Sequence, residues 1–233
     1  MGGRIQVSEV FKSLQGEGIC AGLPTVFVRL AGCNLYPNGC SFCDTPYAQG
    51  GNGKRMDPAE VLREVERLSN GCRRVSVTGG EPLYQTTELL DLVDRLKFRE
   101  YFVEVFTNGT LYPGDCFSLA DSWVVDIKCP SSGVADKCLK ELWLETVRDC
   151  DLVKFVVIDV RDLDFVTETL KLNKPRAPVT LSPMVPNCPN SQFGEVLMSQ
   201  RKWLRTVWEF CVEHNYRFSF QVHKLVFGNR RGV

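Results

Sequence analysis

Residues 25–48 read TVFVRLAGCNLYPNGCSFCDTPYA. The opening TVFVRLA is a Val- and Phe-rich apolar run of the kind that forms a buried strand. From it the chain passes straight into a loop carrying Cys33, Cys40 and Cys43, with Asp44 and Thr45 directly behind. In parallel α/β folds ligands bind where strands end, so thiols delivered at a strand's C-terminal end mark a site as well as a fold. A closed zinc site takes four ligands, and so does an ordinary iron–sulfur cluster. Here the loop offers three thiols and no obvious fourth.

The same alternation continues outward. Apolar runs at 73–79, 101–107, 123–128, 152–157, 178–183 and 216–222 read as further strands. Between them lie amphipathic segments. The helix over 58–70 has Asp57 as N-cap, Pro58 at its first position and Gly71 just past its end. Residues 86–98 place Leu89, Leu92, Val93 and Leu96 on one face, and 139–149, 161–172 and 195–214 read as helices too. Strand–helix alternation repeated about six times predicts an α/β protein with parallel strands wrapped by helices, either barrel-like or doubly wound and open. No linker, repeat or low-complexity segment divides it, so 1–233 is expected to form a single domain.

Lys plus Arg equals Asp plus Glu at 28 each in 233 residues, so no net charge draws the chain to nucleic acid or an acidic membrane. There is no apolar run of about 18 residues to span a bilayer and no start resembling a signal peptide, which predicts a cytoplasmic protein. The 11 cysteines are then expected as reduced thiols, not disulfides. Outside the loop, Cys20, Cys72, Cys116, Cys129, Cys138, Cys150, Cys188 and Cys211 are scattered and read as small core-filling residues.

The segments just past the strand ends are the candidate site: Thr78-Gly79-Gly80-Glu81-Pro82, Thr107-Asn108-Gly109-Thr110, Asp126-Ile127-Lys128 and Ser182-Pro183-Met184. Singly these are turn chemistry; together they share an edge with three thiols. A zinc ion would have to borrow Asp44 or a distant His, of which there are two, His214 and His223. A four-iron cluster on three thiolates leaves one iron open for a small molecule. S-adenosylmethionine uses such a position, and its reductive cleavage opens radical chemistry.

With three clustered cysteines after the first strand and Gly79–Pro82 reading Gly-Gly-Glu-Pro, 36 residues past Cys43, the chain resembles the radical S-adenosylmethionine superfamily. SLQGEG (13–18), FVRLAGCNL (27–35), CDTPYA (43–48) and QVHKLVFGNRRGV (221–233) make it similar to the 7-carboxy-7-deazaguanine synthase family, from about residue 5 onward. The resemblance implies a partial (β/α)6 TIM-like barrel whose short N- and C-terminal extensions complete the active site. It implies a lyase that contracts 6-carboxy-5,6,7,8-tetrahydropterin to 7-carboxy-7-deazaguanine with release of ammonia, on the route to 7-deazapurines such as queuosine and archaeosine. A 5′-deoxyadenosyl radical would take a hydrogen from pterin C6 and receive it back, so that S-adenosylmethionine is reused. The implied cofactors are a 4Fe-4S cluster, S-adenosyl-L-methionine and Mg²⁺. The implied partners are the pterin and a flavodoxin-like or ferredoxin-like electron donor, with a homodimer as one option.

Carried over residue by residue, Cys33, Cys40 and Cys43 would bind the cluster and Thr45 the Mg²⁺. Gly79, Gly80, Glu81, Asn108, Asp126, Ile127, Lys128, Ser182, Pro183, Met184 and Val185 match the cofactor contacts, with the Gly-Gly-Glu-Pro backbone and carboxylate on the methionine amino group. Leu14, Gln15, Gly16 and Glu17 match the segment that reads the pterin's guanidine-like edge, and Thr78 matches another substrate contact. Arg29 matches the residue on the substrate carboxylate, and the carboxylate of Val233 would lie nearby. Three departures stand out. The cysteine spacing is three residues longer than the superfamily norm, around Tyr36-Pro37-Asn38. Asp126-Ile127 stands where the family pattern has Ser-Pro. Phe106 replaces a Glu before Thr-Asn-Gly, with Glu104 two residues earlier on the same strand face. The rivals are a radical activase that makes a glycyl radical on a partner protein, and a zinc or iron–sulfur binding module without catalysis.

Overall fold

The computed structural model describes residues 3–186, 192–228 and 230–232. Its sheet has nine strands in the order β3-β1-β2-β4-β5-β6-β7-β8-β9. The parallel body comprises β2 (Pro24–Leu30), β4 (Arg74–Gly79), β5 (Phe102–Thr107), β6 (Ser122–Asp126), β7 (Leu152–Val157) and β8 (Val179–Pro183). These strands neighbour one another in chain order. A doubly wound sheet reverses order at a switch point, so the winding is that of a barrel, left open as a partial one.

Two strands not anticipated in the sequence extend the first edge. β1 (Ile5–Leu14) runs antiparallel to β2, and β3 (Lys54–Met56) antiparallel to β1. A register shift between Val7 and Glu9 interrupts the alternation in β1, which hides it from a period-2 search. At the other edge, the run expected as a strand over 216–222 pairs only through β9 (Arg217–Phe218). Ser219 N–H still bonds Leu181 O, and the chain then turns into helix α7 (Val222–Phe227).

The helices follow the expected faces. α1 (Pro58–Ser69) opens on a reciprocal capping box between Asp57 and Glu60 and ends with Asn70 in the left-handed conformation. α2 (Thr86–Phe98) buries Leu89, Leu92, Val93 and Leu96. α3 (Lys140–Thr146) is shorter than the expected 139–149, and α4 (Val160–Leu172) adds a residue to 161–172. The stretch 195–214 forms two helices, α5 (Phe193–Ser199) and α6 (Arg201–His214), that meet at Gln200. Buried strand residues such as Val28, Val77, Val105, Val125 and Phe155 belong to one continuous core. Cys20, Cys72, Cys129, Cys138 and Cys211 are buried, Cys116 is half-buried and Cys150 exposed; Cys188 lies outside the described residues. Among the described residues no helix is long and apolar enough to cross a membrane.

Candidate active site

The C-terminal ends of the parallel strands, the cysteine loop, segment 14–17 and the C-terminal tail enclose a cavity of about 460 Å³. The cysteine loop is closed at its neck by backbone bonds, from Gly32 N to Ala48 O at 2.7 Å and from Cys33 N to Gln49 O at 3.0 Å. The Gly-Gly-Glu segment after β4 packs directly on that neck: Gly80 N donates to Leu30 O and Glu81 N to Gly32 O. A Cβ on Gly79 would collide with Leu30 O, and one on Gly80 with Gly32 O. The two glycines are therefore needed for backbone-on-backbone contact beside the thiols. Ser41, inside the loop, is tied to Ser132 O at 3.0 Å through its N–H and to Ser131 O at 2.7 Å through its hydroxyl. The loop beside Cys40 is thus anchored on the turn after β6.

Cys33, Cys40 and Cys43 all face the cavity. No three His, Cys, Asp or Glu side chains among the described residues are gathered tightly enough to hold a metal ion. A cubane presents its irons at separate corners, so its thiol ligands need not converge on one point. Burial pushes the Cys33 and Cys40 thiols above the usual range. Lys128 opposes this at Cys40, where it helps to stabilise a thiolate. Asn108 Nδ2 lies 3.8 Å from Cys33 Sγ, and Thr45 Oγ1 3.9 Å from Cys43 Sγ.

Much of the remaining wall is polar. Gln15, Gly16 and Glu17 line it, with Arg29 and Thr78 beside them. Lys154 Nζ donates to Glu17 Oε2 at 2.6 Å, and Lys128 Nζ to Asp126 Oδ2 at 2.7 Å. The remaining oxygens, Glu17 Oε1 and Asp126 Oδ1, are buried with no hydrogen-bond partner among the described residues. Two desolvated acceptors in one cavity fit a ligand rich in N–H or O–H groups. Arg29 Nε bonds Glu9 Oε1 at 2.7 Å, the same oxygen that accepts from Tyr47 OH at 2.8 Å. Arg231 from the tail lies over the Tyr47 ring, 3.6 Å from its centroid. Asp44 faces the cavity's solvent while walled in by protein. Burial alone would raise its carboxyl, but Lys224, Lys154, Arg29 and His223 hold it below the ordinary value.

Glu81 differs from expectation. Its carboxylate is fully buried, absent from the cavity wall and occupied by the fold. Oε1 accepts from Leu83 N at 3.0 Å and Thr107 Oγ1 at 2.9 Å, and Oε2 from Asn108 N at 2.6 Å. Of the other cofactor positions, Gly79, Gly80, Asn108, Asp126, Lys128 and Met184 line the cavity. Ile127, Ser182, Pro183 and Val185 are buried behind it. Leu14 lines the rim, and Val233 lies outside the described residues. Sequence reasoning missed Lys154, Glu9 and Tyr47. A lysine inside the apolar run LVKFVV was the available signal for the first.

The Radical SAM superfamily matches residues 28–143. A 7-carboxy-7-deazaguanine synthase of Methanospirillum hungatei is 38% identical over 180 residues, 77% of this chain and 73% of that protein. A 7-carboxy-7-deazaguanine synthase of Leptospira interrogans is 30% identical over 251 aligned positions, covering 99% of this chain and 98% of its own. The crystal structure of QueE from Escherichia coli superposes with a TM-score of 0.63 at 25% identity, covering 93% of each chain.

Proposed function

Since the chain belongs to the 7-carboxy-7-deazaguanine synthase family of radical S-adenosylmethionine lyases, we propose that its cavity contracts 6-carboxy-5,6,7,8-tetrahydropterin to 7-carboxy-7-deazaguanine, releasing ammonia, in 7-deazapurine biosynthesis. One observation carries this reading: the three thiols and the Gln15–Glu17 segment face a single cavity across the strand ends. Cys33, Cys40 and Cys43 would hold the 4Fe-4S cluster, with Gly79, Gly80, Asn108, Asp126, Lys128 and Met184 around S-adenosylmethionine. When bound, that pair supplies the hydrogen-abstracting radical.

The chain's own residues supply binding and orientation. Glu17 keeps Oε1 free for the N–H edge of a pterin while Lys154 holds Oε2. Gln15 sits beside it, so the segment matches a guanidine-like edge. Arg29 is oriented by Glu9 and lies on the wall, where a guanidinium pairs with a substrate carboxylate. The N-terminal strand β1 and the tail residues Arg230 and Arg231 complete the enclosure, which supports one domain with extensions that close the site. Thr45 is the proposed protein ligand of Mg²⁺, a hard cation that keeps waters and substrate oxygens in its shell. An external one-electron donor of flavodoxin or ferredoxin type would reduce the cluster, and a homodimer is the proposed assembly.

Anaerobic incubation of the reconstituted, reduced protein with carboxytetrahydropterin and Mg²⁺ should yield the deazaguanine chromophore and ammonia without net loss of S-adenosylmethionine. A loaded, reduced cluster of about four irons per chain that gives no product would overturn the reading. Thr45→Ala should leave iron content unchanged and alter the Mg²⁺ dependence. Solution mass tests the dimer.

A further inference from the structure

Glu104 is a carboxylate that the proposed chemistry does not use. It is about 1% exposed, lies on β5 below the cavity and does not line it. Its oxygens nevertheless reach the substrate-side segment. Oε2 accepts from Gln15 Nε2 at 3.0 Å, and Oε1 from the backbone N–H of Ile19 at 3.1 Å. The Cys20 backbone also bonds to it. Gly18, between these anchors, has φ +75°, and a Cβ there would stand 2.6 Å from Glu104 Oε1. Gln15 in turn gives its other N–H to Ser76 Oγ at 3.1 Å, while its Oε1 accepts from Glu17 N at 3.3 Å. The segment is therefore wrapped around one carboxylate, and the orientation of Gln15 reaches Glu17 through a backbone bond.

We propose that Glu104 is a positioning residue for substrate recognition: its carboxylate clasps residues 15–20 and so sets Gln15, Gly16 and Glu17 on the cavity wall. The assignment rests on the reading of segment 14–17 as the pterin-recognising edge.

Each of these bonds is donated to Glu104, so the clasp is complete only when the carboxylate is ionised. Burial raises the group to about 7, with the Glu17 carboxylate adding to the rise and the bonds from Ile19, Gln15 and Cys20 opposing it. From the loop, Glu17 and Cys20 face Glu104. Glu17 is held by Lys154 of β7, and burial lifts the Cys20 thiol to about 11, which keeps it neutral. Arg74 of β4 acts on Cys20. The neighbours of Glu104 in register, Ser76 on β4 and Ser122 on β6, carry no charge. The clasp therefore loosens as pH falls through about 7. Overall stability moves the opposite way, because a carboxyl raised in the folded state is most favourable when protonated, and its contribution is lost as pH rises from 4.5 to about 7. A merely structural glutamate would show the second effect without the first.

The test compares the full, cluster-loaded protein with Glu104→Gln. In the wild type, KM for carboxytetrahydropterin should rise about tenfold per pH unit below Glu104's value, with kcat level. In Glu104→Gln one donor must face another. Turning Gln15 to relieve this would set its NH2 against the Glu17 N–H and break that bond, although the Ser76 hydroxyl can still donate to the turned amide oxygen. KM should be raised roughly tenfold above neutral pH, and its acid limb should vanish. An unchanged KM, or an acid limb that persists in the variant, overturns the proposal. Amide exchange at Ile19 and Cys20 in substrate-free wild type is the second measurement, and it remains available if the variant does not fold. Protection corrected for intrinsic rate should fall as pH drops through about 7, and constant protection also overturns the proposal. If wild type makes no deazaguanine while this protection responds as expected, the function has failed and the clasp has not.

Discussion

Glu81→Gln tests how the Gly-Gly-Glu-Pro segment works. The wild-type carboxylate is buried and accepts three hydrogen bonds, two on Oε1 and one, from Asn108 N, on Oε2. A glutamine can keep Oε1 on Leu83 and Thr107, but its amide nitrogen then faces the Asn108 N–H. That loss should cost about 1–3 kcal/mol. Burial raises the Glu81 carboxyl from 4.5 to about 7, outweighing the hydrogen bonds from Asn108, Leu83 and Thr107 that oppose it. At ~1.4 kcal/mol per tenfold change in proton affinity, ionising it in the fold costs about 3 kcal/mol. Linkage sets the sign: this group favours the folded state at low pH, and the advantage is lost between 4.5 and about 7. Glutamine does not titrate. Urea denaturation should therefore show the variant less stable than wild type near pH 5, with the gap closing by about 2 kcal/mol near pH 8. A gap equal at both pH values would refute the burial argument. A fully retained rate of S-adenosylmethionine cleavage would refute the placement of Asn108 through Glu81.

Gly80→Ala should push Gly32 away from the neck of the cysteine loop, lowering stability by about 1–3 kcal/mol and iron content with it; iron analysis after reconstitution checks this. Lys154→Met leaves Glu17 buried without its ion pair, at a cost on the order of 3 kcal/mol, and Glu17→Gln in the same chain should recover most of it in a double-mutant cycle. Asp57→Ala removes the cap of α1, far from the cavity, and should lower stability by about 1 kcal/mol while product formation at low temperature is unchanged.

Local chemistry made most of the architecture legible. The Val-rich runs, the Asp57-Pro58 cap and the leucine stripe of α2 each specify an element through interactions between near neighbours. The cysteine and glycine motifs locate the site because strand ends share an edge. Tertiary structure alone decided which side chains that edge leaves free. Lys154 and Glu17 pair across 137 residues, and Gln15 reaches Glu104 across 89. Glu81, which sequence assigned to a cofactor, is turned inward by backbone N–H groups from two different strand ends. The antiparallel strand β1 and the helix that replaces the last expected strand also depend on partners distant in the chain. Periodicity and capping are settled within a few residues. The partners of a buried charge are settled only when the whole sheet has closed around it, because an unpaired charge there costs more than any local preference contributes.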